Sequence, residues 1–459
     1  MVRTEYYKDL TKMNTFGMKV KARCFIEYDS VADLVDIEFE ELARPVLHIG
    51  GGSNLLFTDD FKGTILHSKI NFIEVLDEAP PIHEAMGGHG FSNHPCGTLS
   101  TDDGLSSDSE SEDCHFDRAE RSSGKVLVSV GAGVVFDDFC AWAAKEGLWG
   151  VENLSYIPGE VGASAVQNIG AYGVEVKDVI HKVYCYDTLE EEFVCFDVEE
   201  CEYGYRDSIF KDPEVKGRYI VTHVVFALSR TPQPRLDYGH LKNAVLSAYG
   251  ECQSAPETPS QVNLGPSPYP GVGKCPLRTN DTSPEDMNCH SDRAKRVEES
   301  LTPSLIRKVI IKIRKEKLPE PSVMGSAGSF FKNPVITAEH FARIEAAAKA
   351  EHGPDCKVPH YVIPSISPVI PSISPVIPSE AEGRVEESLI KIPAAWLIEQ
   401  CGWKGRRSGN AAVWDKQPLV IVNYTGEAYP EEIIGLERRI IASVKSKFDI
   451  DLHPEVEHI

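Results

Sequence analysis

Residues 157–173 read IPGEVGASAVQNIGAYG. It contains four glycines in seventeen residues, with alanine and serine between them. Because few side chains hold its backbone away, the segment can lie flat against a large planar ligand or cross another stretch of backbone closely. Its composition leaves a cofactor cradle and a close-packed backbone crossing as two open interpretations.

A second glycine turn lies upstream, where the apolar run 45–49 is followed by GGGSN at 50–54 and then by LLF. Glycine adopts positive φ, and its backbone N–H group can approach a phosphate closely; Ser53 and Asn54 add side-chain donors. A dinucleotide-binding turn of the Rossmann type needs GxGxxG at the start of a helix, whereas a strand-like run follows here. The turn is therefore interpreted as a different anion cradle, with an ordinary turn as the alternative.

Three other polar side chains stand in distinctive surroundings. Arg206 lies between aromatic neighbours in GYRDSIFK (204–211), where a partly buried Arg–Asp ion pair is the plainer interpretation. Ser329 lies among small residues in GSAGSFFKNP (325–334), but the GxSxG pattern of a nucleophilic serine is missing. Glu455 follows a rigid proline, and a solvated carboxylate is its ordinary interpretation.

Length and composition argue against several classes of function. At 459 residues, with 42% hydrophobic residues, the chain allows two or three domains with sizeable cores. Its 47 basic and 70 acidic residues give a net charge of −23, which argues against binding to nucleic acid or to an anionic membrane. We expect no signal peptide and no spanning helix. The twelve cysteines form no CxxC pair, so reduced thiols, no metal site and a cytoplasmic location are expected.

Three stretches differ in composition from the rest of the chain: residues 81–124, 249–303 and 358–389. The first is acidic and serine-rich, the second is rich in Pro, Ser and Gly, and the third repeats the heptapeptide VIPSISP from residue 362. Such sequences lack a helical or strand period, so extended or disordered surface insertions are predicted. A helix is predicted to follow the second stretch, with Ser304 as its N-cap.

These motifs, together and in this order, resemble the UDP-N-acetylenolpyruvoylglucosamine reductase family. The resemblance covers the chain outside the three stretches, and IPGxVGxxxxQNIGAYG followed by YRDSIFK is its most specific part. The run DYGHL at 237–241 is similar to the type I branch, which uses a tyrosine-bearing loop over the substrate. The other matching segments are 14–17, 50–57, 317–319, 325–334, 394–398 and 454–456.

The resemblance implies an α+β protein with a vanillyl-alcohol-oxidase-like FAD-binding fold of two subdomains and a C-terminal α+β substrate-binding domain. It places FAD-binding subdomain 1 at 1–70 and subdomain 2 at 71–231, with the first insertion inside the latter. The substrate-binding domain is expected at 232–459 and carries the other two insertions. Its last segment, 447–459, is expected to return to the active site.

The resemblance also implies the reaction. NADPH reduces FAD, and the flavin then reduces UDP-N-acetylglucosamine enolpyruvate to UDP-N-acetylmuramate in peptidoglycan synthesis. Hydride passes from flavin N5 to the methylene carbon, and Ser329 then supplies a proton. Arg206 and Glu455 stand at the positions that polarise the substrate carboxylate. We expect a monomer; a flavin-binding remnant inactivated by insertions and a sugar or lactone oxidase are the alternatives.

The binding residues carried over from the resemblance fall into two sets. The FAD-binding set is Gly50, Gly51, Gly52, Ser53, Asn54, Ile157, Pro158, Gly159, Gly162, Ala163 and Arg314. The substrate-binding set is Tyr238, Lys317 and Asn333. Trp414 stands where the family often has histidine, so no role is assigned to it.

Overall fold

The computed structural model describes residues 1–76, 125–254, 300–363 and 389–459. Within these ranges the chain combines helices with parallel and antiparallel sheets, in agreement with the predicted α+β class. The predictions for residues 81–124, and for most of the other two compositionally distinct stretches, lie outside the described residues.

The first sheet is built near the N-terminus. Its strands are β1 (Arg3–Asp9), β2 (Lys21–Tyr28), β3 (Val46–Ile49) and β5 (Phe61–Ser68), and helix α1 (Val31–Val35) follows β2. The strand order is β1-β2-β5-β3, and both β2 and β3 pair in parallel with β5. Ile49 lies opposite His67. Because parallel strands end at one edge, the glycine turn after Ile49 begins beside the end of β5.

The second sheet is antiparallel throughout and has the order β11-β10-β12-β7-β6. Its strands are β6 (Ile73–Leu76), β7 (Lys125–Gly131), β10 (Ile180–Asp187), β11 (Glu192–Asp197) and β12 (Tyr219–Ser229). Two helices share its core, α2 (Phe136–Lys145) and α3 (Val161–Gln167). Phe139 and Phe226 are fully buried there, and large apolar contacts of this kind provide most of the stability of such a core.

The C-terminal part carries the remaining helices and two small sheets. The helices are α4 (Leu241–Ser254), α5 (Pro303–Lys317), α6 (Ala338–His352), α7 (Ala394–Gln400) and α8 (Pro430–Phe448). One sheet contains β13 (Gly325–Ser326), β19 (Ile421–Asn423), β18 (Ala411–Val413) and β17 (Arg407–Ser408) in that order. The other contains β14 (Val335–Thr337), β16 (Leu389–Lys391) and β15 (Tyr361–Ile363) in that order.

Several short elements lie in the connections. They are β4 (Leu55–Leu56), β8 (Gly170–Ala171), β9 (Val174–Glu175), β20 (Glu457–His458) and the 3-10 turns Glu152–Leu154, Val176–Asp178 and Ile209–Lys211. The last strand, β20, pairs in parallel with β4. The C-terminal segment therefore lies against the chain that follows the first glycine turn.

A single hydrophobic core joins the first sheet to the C-terminal part. Phe16 and Leu56 are fully buried in the same cluster as Phe330 and Leu436. The two aromatic rings of Phe16 and Phe330 meet edge to face, with centroids 6.2 Å apart. Because these residues come from opposite ends of the chain, their packing, together with the pairing of β20 and β4, holds the two ends together.

The predicted limits of two insertions are wrong at their flanks. Helix α4 extends to Ser254, since Leu241, Val245 and Tyr249 continue one apolar face, and β15 occupies residues 361–363 because its residues pair with β16. The N-cap of α5 is Thr302 rather than Ser304. The Thr302 hydroxyl accepts from the Leu305 N–H, and Pro303 suits the first helical position because its φ is already helical.

Candidate active site

The two glycine segments predicted as cradles lie against each other. The Ser53 hydroxyl donates to the Pro158 carbonyl over 3.2 Å. A Cβ added to Gly51 would lie 3.5 Å from Gly159 Cα, and a Cβ added to Gly50 would lie 3.1 Å from Ala163 Cβ. Small residues therefore keep the two backbones in contact, and the separate candidates from the sequence form one structure.

Two other glycines in these segments are explained by packing. Gly52 has φ +62°, and a Cβ there would collide with the Met13 carbonyl. A Cβ on Gly162 would lie 2.9 Å from Ala132 Cβ, where α3 meets the second sheet. At these two positions the close-packed crossing left open by the sequence is what the structure contains.

Charged side chains hold the backbone of Tyr156, the residue before the second glycine segment. Tyr156 adopts a positive φ of 63°, its N–H donates to the Asp137 carboxylate, and its carbonyl accepts from Arg314 Nε over 3.1 Å. Arg307 donates two hydrogen bonds to the same carboxylate. Burial lowers the pKa of Arg314. Arg314 thus lies directly beside Ile157, the first residue of the segment.

Arg206 lies at the other end of the same glycine-rich run. Its Nη1 donates to the Asn168 carbonyl over 3.2 Å and its Nη2 to the Gly170 carbonyl over 2.5 Å. Its Nε lies 2.9 Å from Glu455 Oε1, and the two side chains are 17% and 14% exposed. The sequence alternative of an Arg206–Asp207 pair is therefore not what the structure contains, because Glu455 pairs with the guanidinium.

The C-terminal segment that carries Glu455 is fixed by backbone contacts. The Glu455 N–H donates to the Phe330 carbonyl over 2.8 Å, and Asn54 Nδ2 donates to the Glu455 carbonyl over 3.0 Å. Ser329 precedes Phe330 in the chain and is exposed. The structure consequently brings Arg206 and Glu455 together next to the first glycine turn, and the residue after Ser329 is bonded to Glu455 through its backbone.

Tyrosines surround this region. Asn333 Nδ2 donates to the Tyr205 hydroxyl over 3.3 Å, and the Lys391 ammonium lies 3.8 Å from the centre of the Tyr205 ring. Burial raises the pKa of Tyr205. Tyr238 stacks on Tyr361, with centroids 5.8 Å apart and ring planes at 11°. Burial, and then the hydrogen bond with Tyr361, raise the pKa of Tyr238, so its hydroxyl stays protonated at neutral pH.

Lys317 is a predicted site residue that the structure leaves at the surface. It is the last residue of α5, one helical turn beyond Arg314, and its side chain is exposed. Its carbonyl accepts a hydrogen bond of 3.0 Å from the indole N–H of Trp414. Trp414, to which the sequence assigned no role, therefore anchors the end of the helix that carries Lys317.

Sequence reasoning missed Tyr361 and Lys391 as members of this region. Both lie at the flanks of the stretch 358–389, which composition alone assigned to an insertion. The β-branched pair after Tyr361 is the signal that was available, since Val362 and Ile363 favour a strand. Tyr205 was inside a recognised motif but received no role.

Other kinds of site find no support in the described ranges. No group of three or more His, Cys, Asp or Glu side chains there is arranged to hold a metal ion. None of the helices described is long and apolar enough to cross a bilayer. The cysteines in these ranges form no disulfide.

Comparisons with known proteins identify chains of similar sequence. Residues 320–459 match the family model described as UDP-N-acetylenolpyruvoylglucosamine reductase, C-terminal domain, and residues 87–192 match one described as FAD binding domain. The UDP-N-acetylenolpyruvoylglucosamine reductase of Bacteroides fragilis (strain YCH46) is 40% identical over 451 residues, which cover 98% of each chain. That of Porphyromonas gingivalis (strain ATCC 33277) is 34% identical over 463 residues, covering 100% of this chain and 99% of the relative.

Proposed function

The chain belongs to the UDP-N-acetylenolpyruvoylglucosamine reductase family, and from that membership we propose that it reduces UDP-N-acetylglucosamine enolpyruvate to UDP-N-acetylmuramate for peptidoglycan synthesis. The family resemblance and the flavin-binding α+β fold class predicted from the motifs are thereby confirmed. We further propose FAD as the cofactor and NADPH as the reductant. Both relatives are named as this reductase, and each matches nearly the full length of this chain.

The residues present fit an FAD site. Gly50, Gly51, Gly159 and Ala163 keep side-chain bulk low where the two segments meet, so the backbone can lie close to a pyrophosphate or a flat ring. When bound, FAD supplies the two-electron chemistry that links NADPH oxidation to reduction of the substrate double bond. The remaining members of the set proposed to hold it are Gly52, Ser53, Asn54, Ile157, Pro158, Gly162 and Arg314.

Arg206 and Glu455 are proposed to act on the substrate carboxylate. Reduction of the enolpyruvyl double bond places negative charge on the carbon beside that carboxylate. The Arg206 guanidinium is already oriented by the Asn168 and Gly170 carbonyls, so it need not reorganise as this charge develops. Preorganised charge of this kind stabilises the transition state more than the bound substrate.

Ser329 is proposed to deliver the proton that completes the reduction. It lies next to Phe330, whose carbonyl is held by the Glu455 N–H, so its hydroxyl is carried on a backbone tied to the Arg206–Glu455 pair. General acid catalysis requires a donor within hydrogen-bond reach of the carbon that receives the proton. The structure supports this assignment through that tie.

The UDP-sugar is proposed to lie over the tyrosine-rich face of the C-terminal part, residues 232–459. Tyr238, Asn333 and Lys317 are the proposed contacts. Tyr238 is stacked on Tyr361, and Asn333 is held by both Tyr205 and the Ala394 N–H. We also propose that the enzyme is a cytoplasmic monomer. Nucleic-acid and membrane partners are not expected, because the net charge of −23 is repelled by nucleic acid and by anionic membranes.

The observation that carries this proposal is the 2.9 Å contact between Arg206 and Glu455 beside the glycine cradle. Purified protein should contain FAD, oxidise NADPH only when the enolpyruvyl UDP-sugar is added, and form a product two hydrogens heavier by mass spectrometry. Oxygen consumption with a sugar lactone in the absence of NADPH would instead identify an oxidase. Flavin that NADPH reduces but the substrate cannot reoxidise would identify an inactive remnant.

A further inference from the structure

We propose that Lys211 is a positioning residue of the reaction, because it holds Arg206 in the conformation in which the guanidinium meets Glu455. This inference rests on the proposed function, since Arg206 is the residue proposed there to stabilise the charge that develops on the substrate. Lys211 is the last residue of the motif YRDSIFK, and the sequence assigned no role to it.

The backbone of Arg206 needs support from its surroundings. Arg206 is the third residue of a four-residue turn, in which the backbones of Gly204 and Asp207 exchange hydrogen bonds of 3.0 and 3.2 Å. Its φ of 56° lies in the left-handed region, which is unfavourable for a residue with a Cβ and usually requires glycine at this position of a turn. Such a conformation persists only where neighbouring groups hold it.

Lys211 supplies this support from five residues further along the chain. It ends the 3-10 turn Ile209–Lys211, which packs on α3, and its side chain is half-buried there. Its Nζ donates a hydrogen bond of 2.9 Å to the Arg206 carbonyl. Because the peptide unit is planar, holding this carbonyl fixes the orientation of the peptide that follows Arg206.

The same ammonium group also contacts the segment on which the guanidinium rests. Nζ donates to Gln167 Oε1 over 3.0 Å, and the next residue, Asn168, offers the carbonyl that accepts from Arg206 Nη1. Gln167 Nε2 is buried and has no hydrogen-bond partner in the described part of the chain, so the amide is oriented by its bond from Lys211. Lys211 therefore ties the backbone of Arg206 to the place where its side chain is bound.

These contacts form a closed ring. It runs from Lys211 to the Arg206 carbonyl, along the Arg206 side chain to the Asn168 carbonyl, and back through Gln167 to Lys211. An ammonium group has three N–H donors, so it can bind both acceptors at once. With its backbone and its guanidinium both fixed, Arg206 presents Nε to Glu455 without further reorganisation.

Removal of the Lys211 ammonium should leave the fold intact and act locally. Ser208 Oγ donates to the Val166 carbonyl over 2.6 Å, so the turn stays attached to α3 without Lys211. The expected change is a shift of the Arg206 guanidinium. Since misplacing a reacting group by about 1 Å can cost about 10²-fold in rate, we expect a loss of about 10- to 100-fold.

The test is anaerobic stopped-flow spectroscopy of the holoenzyme, which measures flavin reduction by NADPH and flavin reoxidation by the enolpyruvyl UDP-sugar separately. Lys211→Met keeps an unbranched side chain without N–H donors, and it should slow reoxidation by about 10- to 100-fold while reduction keeps the unmodified rate. Lys211→Arg retains N–H donors and should lose less. Lys182→Met removes a lysine that pairs with Asp197 in the second sheet, and it should change neither rate.

Two further measurements distinguish positioning from a general structural role. If Lys211 acts through Arg206, Lys211→Met should cause a further loss of about twofold or less in an Arg206→Ala background, whereas independent effects would multiply. Amide hydrogen exchange over residues 203–210 should be faster in Lys211→Met than in the unmodified chain, because the turn has lost a contact. This second readout needs neither substrate nor bound flavin.

Reoxidation at the unmodified rate in Lys211→Met would overturn the inference, and so would multiplied losses in the double variant or unchanged hydrogen exchange. Far-UV circular dichroism identifies a variant that has failed to fold; Gln167→Met, which removes the other acceptor of Lys211, then decides by the same measurements. An unmodified holoenzyme whose reduced flavin is not reoxidised by the enolpyruvyl UDP-sugar would overturn the proposed function itself, and hydrogen exchange would then decide whether Lys211 holds Arg206.

Discussion

Arg206 Nε lies 2.9 Å from Glu455 Oε1, and their side chains are only 17% and 14% exposed. Glu455 reaches this position because its N–H binds the Phe330 carbonyl and its carbonyl accepts from Asn54. A guanidinium and a carboxylate that are held together out of water interact more strongly than they would at the surface. The pair therefore forms a rigid, polarised end to the proposed site.

Replacing Arg206 by lysine should lower kcat/KM for the enolpyruvyl substrate by about 10²- to 10³-fold. Lysine keeps the charge but loses the planar fork that binds the Asn168 and Gly170 carbonyls together with Glu455. Steady-state NADPH oxidation measures the effect. Arg218→Lys changes another paired arginine, immediately before β12, and serves as the control. Equal losses in both variants would contradict a role of Arg206 in the reaction.

Ser329→Ala should separate the two halves of the reaction. Stopped-flow spectroscopy should show NADPH reducing the flavin at the unmodified rate, while reoxidation by substrate slows by about 10²- to 10⁴-fold, the range of a lost general acid. Ser322→Ala alters another exposed serine upstream and should change neither half. Normal reoxidation in Ser329→Ala would refute the proton-donor assignment.

Tyr361→Ala should raise KM for the UDP-sugar by roughly two- to tenfold and leave kcat nearly unchanged. The ring supports Tyr238 by stacking, and an aromatic pair of this kind contributes about 0.5–1.5 kcal/mol beyond buried area. Tyr6→Ala removes an exposed tyrosine from the edge strand β1 and is the matched control. An unchanged KM would mean that Tyr238 is positioned without its partner.

Asp137→Asn should destabilise the protein by about 2–3 kcal/mol at pH 7. Burial acts to raise the pKa of Asp137, but the hydrogen bonds from Arg307 and Tyr156 outweigh it, so the pKa lies below its ordinary value. A lowered native pKa stabilises above the ordinary Asp pKa of about 4, and the benefit disappears as the pH falls through the native value.

Urea denaturation of the holoenzyme at pH 7 and in acid measures this difference. The gap between the unmodified chain and Asp137→Asn should shrink as the solution is acidified. Asp138→Asn, which changes an exposed neighbour on α2, should alter the free energy of unfolding by less than about 1 kcal/mol at either pH. A gap that does not depend on pH would show that the lost interaction is not ionic.

Replacing residues 364–388 by a short turn should preserve the fold and the bound flavin. Ile363 and Leu389 are cross-strand partners in the antiparallel pair of β15 and β16, so a hairpin turn can join them directly. The shorter connection should leave the free energy of unfolding unchanged or raise it by about 1–2 kcal/mol, because loop closure costs less entropy. A deletion that also removes Tyr361–Ile363 should destabilise; equal outcomes for the two deletions would contradict the pairing.

Some of the site was readable from the sequence because it depends on local backbone requirements. The runs 50–54 and 157–173 need glycine at particular places, and YRDSIFK keeps Arg206 in a left-handed conformation with φ 56°. Such requirements are met by residues that are close together in the sequence, so a short motif can show them. The same local reasoning failed at residues 249–254 and 361–363, where the partners that convert an ambiguous run into a helix or strand lie elsewhere in the chain.

The contacts of His67, by contrast, could not be predicted from the sequence. Its two ring nitrogens face the carboxylates of Glu27 and Glu160. His67 is one histidine in a strand, and no local pattern distinguishes it from a residue packed in a core. Its meaning depends on the register of β5 with β3 and on Glu160 approaching from another segment.

The amino-acid order by itself determined which side chains were candidates and, through the family resemblance, the cofactor, since the motifs that carry the resemblance are runs of neighbouring residues. Which candidates meet was decided by the packing of elements that are distant along the chain. That packing set Glu455 against Arg206, Tyr361 against Tyr238 and Glu160 against His67. The chemistry of a side chain is fixed by its residue type, which the sequence gives. Which side chains become neighbours in space depends on how the whole chain packs.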